Sequence, residues 1–264
     1  MELSVIIVNY NTKDLLKTCI DSVKKSCPDC QIIVVDNCSD DGSREEILKM
    51  PVKGVLSESN LGFSRANNLG LKEATGENIL FLNPDTLVDE GTLKRCLEFI
   101  KENRNVGALG CRVVLPDGTL DKACKRKFPT PFNSFCTIFK LAKIFPCLGY
   151  NVVGRDREVY QVDCLVGAFM MCPKAVLEKV SGFDEDFFMY GEDIDLCYRI
   201  KKSGFDIWYL GDAKITHIKG ASGKKSKIAK SAFYDSMSIY YKKHFKEGFF
   251  TKLVDLAVKI MKKL

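Results

Sequence analysis

A regular alternation of short apolar segments and amphipathic segments over the first hundred residues is the feature that most constrains this fold. Residues 3–8 form a continuous apolar, β-branched run, which is typical of a strand buried on both faces of a parallel sheet. The alternation predicts strands at residues 3–8, 31–35, 53–56 and 78–82, and helices at residues 12–26, 44–49, 63–74 and 92–102. This order implies right-handed crossovers and a parallel sheet.

The pattern is looser in the second part of the chain. Residues 107–115 and 162–172 have strand-like content, and residues 116–160 mix proline, basic and aromatic residues in the manner of excursions around a cleft. We expect a helix at 191–202, two short strands at 206–210 and 214–218, and two C-terminal helices. The sequence therefore predicts an α/β domain followed by a helical extension.

Polar side chains lie at the expected edge of this sheet, where strands end and helices begin. The clusters are Asn9-Tyr10-Asn11, Asp36-Asn37, Asn60-Leu61-Gly62 with Asn67 one turn later, and Asn83-Pro84-Asp85. Ligands of open α/β sheets bind at the carboxyl ends of the strands, and short amides and carboxylates suit recognition of a base and a ribose. Each cluster alone is equally well explained as turn chemistry. Four at one edge favour a ligand site.

Two residues near this edge are candidate metal ligands. Asp85 offers a carboxylate that suits Mg²⁺ or Mn²⁺, which accept one or two protein oxygens and complete their coordination with water and phosphate oxygens. His217 follows a short predicted strand and offers an imidazole. The alternatives are a Pro-Asp turn and a structural histidine.

An acidic cluster, Gly191-Glu192-Asp193-Ile194-Asp195, opens the helix predicted at 191–202. The helix dipole favours acids at this position without any function. A carboxylate beside a cleft can also remove a proton from a sugar hydroxyl. Arg199 lies one turn after Asp195, so we expect an ion pair between them that leaves Asp193 free.

Charge and missing motifs exclude several classes of protein. Residues 214–264 hold 13 lysines and three acidic residues, whereas the residues before them carry a slight excess of acidic side chains. The net positive charge of +6 therefore comes from the C-terminal part of the chain. That distribution indicates an anionic partner for the tail and no nucleic-acid partner. No G-x-G-x-x-G follows the first strand, and there is neither a P-loop nor a G-x-S-x-G elbow.

The ordered segments SVIIVNYN, VVDNCSDDGS, NLGFSRANNLG, FLNPDT, GAFMM and GEDIDLCYR resemble glycosyltransferase family 2, in its rhamnosyltransferase-like branch. HIKGAS and SIYYKKHF resemble that branch too. The resemblance implies the GT-A nucleotide-diphospho-sugar transferase fold, which is an α/β fold with a mostly parallel central sheet flanked by helices, here with C-terminal helices. It implies a catalytic domain over 1–220, with a nucleotide half at about 1–105 and an acceptor half at about 106–220, and a basic extension over 221–264.

The resemblance also implies an activity. It is an inverting transfer of a sugar from a nucleoside-diphosphate donor to a hydroxyl of a glycan or lipid-linked glycan, with Mg²⁺ or Mn²⁺ as cofactor. Thymidine-diphosphate rhamnose is the first expected donor. A homodimer is a further expectation. Two alternatives remain at this point: a sugar nucleotidyltransferase, which would need a Gly-rich basic loop after the first strand, and a protein that binds nucleotide sugars without turnover.

Site residues follow from matching the family pattern position by position. The general base is Asp193 with Glu192 beside it, and the metal ligands are Asp85 and His217. Gly167, Ala168 and Met170 fall in the segment on the acceptor side. Asn83 stands where many relatives carry the first acid of D-x-D. The residues expected near the donor are Asn9, Tyr10, Asn11, Asp36, Asn60, Gly62, Asn67 and Asn83.

A final expectation concerns location. No apolar run approaches the roughly 20 residues that a spanning helix needs, and the first residues lack a basic export signal. Residues 248–264 instead form an amphipathic helix with lysines on its polar face. We expect a cytoplasmic protein, peripheral on the inner face of the membrane through 248–264. Packing of that helix on the domain is the alternative.

Overall fold

The computed structural model describes residues 1–138, 141, 145, 149–152, 154–218, 227–245 and 248–263. Its strands are β1 (Leu3–Asn9), β2 (Gln31–Asp36), β3 (Lys53–Leu56), β4 (Asn78–Leu82), β5 (Thr86–Val88), β6 (Val106–Val114), β7 (Lys125–Arg126), β8 (Val159–Gln161), β9 (Cys164–Leu165), β10 (Phe169–Pro173) and β11 (Asp206–His217). Its helices are α1 (Lys13–Ser26), α2 (Ser43–Ile47), α3 (Gly62–Glu73), α4 (Thr92–Glu102), α5 (Pro131–Ile138), α6 (Lys174–Lys179), α7 (Glu192–Lys202), α8 (Lys227–His244) and α9 (Phe249–Lys263).

A mixed sheet forms the centre of the molecule. Its strand order is β3-β2-β1-β4-β10-β6-β11-β5, and β8 pairs with β11. Strands β3, β2, β1 and β4 are parallel to one another, β10 is antiparallel to β4 and β6, and β5 and β8 are antiparallel to β11. The predicted α/β fold with a mostly parallel sheet flanked by helices is confirmed.

Close packing of α3 on the sheet depends on Gly70. A Cβ atom at this position would lie 2.5 Å from Cγ2 of Ile6 and 3.2 Å from Cγ2 of Val35. Ile6 and Val35 are fully buried, and burial of each such side chain contributes roughly 1.5–3 kcal/mol. Gly70 thus brings the helix that starts at Gly62 into contact with the two strands that end at Asn9 and Asp36.

The end of the chain differs from the prediction in one element. The two strands predicted at 206–210 and 214–218 are the single strand β11, with a shift of register against β6 between Leu210 and Lys214. Gly211 lies at this irregularity. Its amide donates to the carbonyl of Glu158 at 2.9 Å, and a Cβ atom would clash with that neighbouring backbone, so glycine permits an irregular strand to continue.

The C-terminal helices pack on the sheet domain. Helix α9 contacts α5 and α8, and Thr251, Val254 and Val258 are buried there. Phe249 and Leu256 remain 72% and 55% exposed. The apolar face expected at 248–264 is therefore divided between a buried side and an exposed side. Within the described residues, no helix is long and apolar enough to cross a bilayer.

Candidate active site

The ends of β1 and β2 are joined by their last side chains. Nδ2 of Asn9 donates to Oδ1 of Asp36 at 2.9 Å and lies 3.1 Å from Oγ of Ser39, while the hydroxyl of Thr12 donates to Oδ1 of Asn9 at 2.6 Å. The backbone amide of Ser39 donates to the other oxygen of Asp36. Neither Asn9 nor Asp36 has exposed surface. These two residues fix the shape of the edge, and their direct contact with a nucleoside stays a prediction.

Tyr10 and Asn11 continue from this buried pair to the surface. Tyr10 is 45% exposed and presents its ring where a base can stack. Asn11 has a positive φ of 53°, and its side-chain oxygen accepts from the amide of Asp40 at 2.9 Å. A left-handed backbone at Asn11 turns the chain sharply after β1, which leaves the Tyr10 ring outside the core.

A second amide network orders the start of α3. The side chain of Asn37 donates to Oδ1 of Asn60 at 3.0 Å, and its oxygen accepts from the amide of Leu61 at 2.8 Å. Oδ1 of Asn60 also accepts from the amide of Gly62. Asn67 is buried and donates to the carbonyl of Phe63. The structure places Asn60, Gly62 and Asn67 near the end of β2, as the sequence predicts.

Asp85 and His217 lie together at the same edge. Nε2 of His217 is 3.1 Å from Oδ1 of Asp85, and Nδ1 is 3.7 Å from Oδ2 of Asp121. Burial lowers the pKa of His217, but the hydrogen bonds and charges of Asp121 and Asp85 outweigh it and raise that pKa to about 9. Asp121 was not among the predicted residues. It caps a short 3-10 helix at Lys122–Cys124, a position that spacing alone does not connect to Asp85.

The donor set at Asp85 and His217 fits a divalent ion. Among the described residues, no three His, Cys, Asp or Glu side chains are arranged to hold one ion. Mg²⁺ and Mn²⁺ need fewer protein ligands where a diphosphate supplies oxygens, and a carboxylate with an imidazole suits Mn²⁺ in particular. Asp85, in the turn between β4 and β5, and His217, at the end of β11, are both buried.

The carboxylate of Asp193 is held by Arg126 and not free, which corrects the sequence prediction. Nη2 of Arg126 lies 2.6 Å from Oδ2 of Asp193 and also donates to the carbonyl of Leu165 at 2.5 Å. The amide of Gly167 donates to the same oxygen at 3.2 Å, and the amide of Ile194 donates to Oδ1. Pairing of β7 with β9 brings Arg126 to this position. The prediction missed Arg126 because it lies 67 residues before Asp193.

Glu192 precedes Asp193 and is buried. Burial raises the pKa of Glu192, and the negative charge of Asp193 raises it further. Its Oε2 has no hydrogen-bond partner within the described part of the chain. The pKa of Glu192 therefore lies well above the usual range of a glutamate.

The ion pair predicted between Asp195 and Arg199 is confirmed. Nε of Arg199 lies 2.7 Å from Oδ2 of Asp195, and Nη1 donates to the carbonyls of Val180 and Gly182. His244, at the end of α8, lies with Nε2 2.7 Å from Oδ1 of Asp195. The sequence analysis did not connect His244 to this cluster. The structure thus separates Asp195, which is bound by Arg199 and His244, from Asp193, which is bound by Arg126 and the amide of Gly167.

One short segment joins the metal candidates to the acidic helix. The amide of Gly167 donates to Asp193, and the carbonyl of Ala168 accepts from the amide of Asn83 at 3.1 Å. The carbonyl of Asp85, two residues later, accepts from the amide of Ile218. Met170, expected on the acceptor side, is fully buried in β10 among core residues, because this strand lies inside the sheet between β4 and β6.

A search for known families gives a match over most of the chain. Residues 4–180 match the model for glycosyl transferase family 2, and residues 155–221 match a model described as the N-terminal domain of galactosyltransferase. The chain belongs to glycosyl transferase family 2. Membership of this family removes the nucleotidyltransferase alternative and makes sugar transfer the general activity.

Two curated relatives illustrate the similarity. The low-salt glycan biosynthesis hexosyltransferase Agl10 of Haloferax volcanii is 28% identical over 210 residues, which cover 78% of this chain and 64% of the relative. The rhamnosyltransferase WbbL of Escherichia coli is 27% identical over 217 residues, which cover 78% of this chain and 79% of the relative. The rhamnosyltransferase-like resemblance is thus confirmed, while the chain spans less than two thirds of the first of these proteins.

Comparison with solved structures confirms the GT-A fold. The crystal structure of GalNAc-T7 with UDP, GalNAc and Mn²⁺ superposes with a TM-score of 0.68 and covers 99% of this chain and 54% of the other. Sequence identity is 15%, so this likeness concerns the fold alone.

Proposed function

We propose that this chain transfers a sugar from a nucleoside diphosphate to an acceptor hydroxyl with inversion at the anomeric carbon. The observation that carries the proposal is the segment Gly167–Ala168, which bonds to Asp193 on one side and to Asn83 on the other. A candidate base and a candidate metal-binding strand end therefore border one cleft. Such a pair is what single displacement requires, because the acceptor must lose a proton while the diphosphate leaves.

Asp193 acts as the base in this proposal. A carboxylate has about four lone-pair positions. Three hydrogen bonds, from Arg126, Gly167 and Ile194, leave capacity for an acceptor hydroxyl. The same bonds fix the direction of the carboxylate before substrate binds, which reduces the entropy lost on reaching the reactive geometry.

Asp85 and His217 hold the divalent ion in this proposal. A bound ion supplies neutralisation of the charge that grows on the diphosphate. Asp85 provides an oxygen from the turn between β4 and β5, and His217 provides a ring nitrogen from the end of β11. Mn²⁺ in the GalNAc-T7 structure supports the choice of a divalent ion.

Rhamnose from thymidine-diphosphate rhamnose is the proposed donor sugar, and a glycan or lipid-linked glycan is the proposed acceptor. Similarity to WbbL supports the sugar. Tyr10 and the ordered ends of β1 and β2 provide the place for the base and ribose. The purified chain, mixed with Mn²⁺ and a panel of nucleotide sugars, is expected to release nucleoside diphosphate from one of them. Release from none of the panel would contradict catalysis and favour a binding protein without turnover.

Peripheral contact with a cytoplasmic membrane face is the proposed location. Support comes from the exposed side of α9, where Phe249 and Leu256 lie two turns apart and Lys252 is exposed between them. The buried side, with Val254 and Val258, keeps the helix on the domain. An apolar strip with adjacent lysines suits the surface of an anionic bilayer.

A further inference from the structure

The two ring nitrogens of His217 face different carboxylates. Nε2 is 3.1 Å from Oδ1 of Asp85, and Nδ1 is 3.7 Å from Oδ2 of Asp121. Because these nitrogens point in different directions, Asp121 lies on another side of the imidazole than Asp85. Among the described residues, no three acidic, histidine or cysteine side chains surround one ion position, so Asp121 is not placed as a third ligand. The contact of Asp121 is with His217 itself.

Backbone pairing brings Asp121 to this histidine. Residues 114–120, at the end of β6, form a hairpin closed by an antiparallel bridge between its first and last residues. The amide of Asp121 then donates to the carbonyl of Val113 at 2.9 Å. Val113 pairs with Ile215 of β11, and His217 is the last residue of that strand. Two neighbouring strands therefore set the distance between Asp121 and His217.

The carboxylate of Asp121 has a fixed orientation. Its Oδ1 accepts from the amide of Ala123 at 3.1 Å and caps the 3-10 helix Lys122–Cys124. This bond occupies one oxygen, and the other oxygen faces Nδ1 of His217. The side chains of Asp121 and His217 are 4% and 9% exposed. In such a buried setting a hydrogen bond to a carboxylate is stronger than it is in water.

Nδ1 of His217 is a buried polar atom that makes no hydrogen bond within the described part of the chain. Its separation of 3.7 Å from Oδ2 of Asp121 exceeds the roughly 2.7–3.2 Å of an N–H···O hydrogen bond. Since buried polar groups are nearly always bonded in proteins, a small movement of the ring toward Asp121 is favoured.

A carboxylate beside Nδ1 decides which nitrogen is able to bind metal. A neutral imidazole carries one proton, and only the other nitrogen has a lone pair for an ion. A proton on Nδ1, donated to Asp121, leaves the lone pair on Nε2, which faces Asp85. Histidines that bind metal generally donate their other ring N–H to a carboxylate, a backbone carbonyl or water, and this bond fixes the ring.

Capping of the 3-10 helix does not by itself require an aspartate at position 121. Asparagine, serine and threonine also accept hydrogen bonds from the first amides of a helix. An aspartate adds a second oxygen and a negative charge, and here that oxygen faces the imidazole. The two roles can therefore be separated by substitution.

We propose that Asp121 is a positioning residue of the metal site, which holds His217 with its proton on Nδ1 and so leaves Nε2 for a divalent ion. This inference rests on the proposed function, because it assumes that Asp85 and His217 hold such an ion. It extends the site to the hairpin after β6, which sequence spacing does not connect to it.

Titration of the full chain with Mn²⁺ alone tests the proposal, with electron paramagnetic resonance to measure the free ion. Asp121→Asn can keep the bond to Ala123 but removes the negative charge, so the dissociation constant for Mn²⁺ should rise at least about tenfold. In a His217→Ala background the same change should alter it by less than about twofold, because an effect that passes through His217 is lost with it. Asp117→Asn, at an exposed carboxylate of the same hairpin that bonds to Thr119, is the matched control and should bind as the wild type does.

Melting temperature shows whether each variant is folded, and Asp121→Ser, which also retains a capping oxygen, replaces Asp121→Asn if the latter does not fold. An Asp121→Asn chain with wild-type affinity for Mn²⁺ would reduce Asp121 to a cap and overturn the proposal. A tenfold loss that recurs in the His217→Ala background would overturn it as well, because Asp121 would then act without the histidine. If His217→Ala binds too weakly for that comparison, Asp121→Asn in the wild-type background decides. A wild-type chain that binds no Mn²⁺ would instead remove the proposed metal site, and this inference with it.

Discussion

The guanidinium of Arg126 lies 2.6 Å from the carboxylate of Asp193, and both side chains are almost entirely buried, at 13% and 10% exposure. Arg126 belongs to β7 and Asp193 to the first turn of α7. The ion pair therefore fastens the excursion between β6 and β10 to the helix that carries the proposed base. It makes the position of this base depend on two parts of the chain.

Replacement of Asp193 tests the base. Asp193→Asn keeps the shape of the side chain and removes its basicity, so turnover should fall at least about a hundredfold while donor affinity changes little. Glu192→Gln, at the neighbouring residue, is the control. It should lower turnover less than about tenfold, because a carboxyl group with a raised pKa is already close to neutral. Steady-state turnover and donor titration give both values. An Asp193→Asn variant that keeps a third of wild-type turnover would rule out the assignment.

Replacement of Arg126 tests the ion pair. Arg126→Ala leaves the buried carboxylate with two backbone amides, and the free energy of unfolding should fall by about 3–5 kcal/mol. Arg126→Lys keeps the positive charge but replaces the Nη2 group that bonds both Asp193 and Leu165. Its free energy of unfolding should therefore fall by less than that of Arg126→Ala. Lys17→Ala breaks an exposed pair with Asp21 and should change stability by no more than about 1 kcal/mol. Urea unfolding measures all three. Equal stability of Arg126→Ala and Lys17→Ala would mean that the pair adds nothing.

Metal removal tests Asp85 and His217. EDTA should abolish nucleoside-diphosphate release, and Mn²⁺ or Mg²⁺ should restore it in the wild type but not in Asp85→Ala. His217→Ala should require a higher metal concentration, because one ligand is missing. Titration of activity against Mn²⁺ measures this shift. Full activity in EDTA would show that transfer here is independent of metal, and an unchanged requirement in His217→Ala would make that histidine structural.

Vesicle co-sedimentation tests the exposed side of α9. The intact chain should bind vesicles that contain anionic lipid, and binding should weaken with salt because the lysines act through screened charge. Phe249→Ser with Leu256→Ser should remove binding and leave the melting temperature unchanged, since both side chains are exposed. Leu48→Ser, at an exposed leucine outside the C-terminal helices, is the control and should bind. Binding that is insensitive to the double replacement would refute this surface.

Local pattern was sufficient for the strands and helices of the first hundred residues. The observed bounds of β3, β4 and α4 equal the predicted ones. For β4 and α4 the reason is that apolar periodicity determines which residues are buried. The strand ends were placed together for the same reason. The break predicted between 210 and 214 was wrong, because the backbone that packs against Gly211 lies more than fifty residues earlier in the chain.

Contacts between distant parts of the chain could not be predicted in this way. The ion pair of Asp195 with Arg199 was found because both residues share one helix face. Arg126 and His244 approach the same helix from 67 residues before Asp193 and from 49 residues after Asp195, and no spacing rule relates them. Burial of Asn9 and Asp36 could not be predicted for a related reason. These side chains bond to each other and to Ser39, and the strand pairing that brings them together is not visible from sequence spacing.

The contact between His244 and Asp195 has a consequence for the order in which the protein is made. A ribosome releases the strands of the central sheet well before it releases residue 244, and folding generally begins with the earlier part of a nascent chain. Helix α7 can therefore form on the sheet while one oxygen of Asp195 still awaits its partner. The contact of His244 with Asp195 would then form after completion of the sheet, when α8 packs against α7.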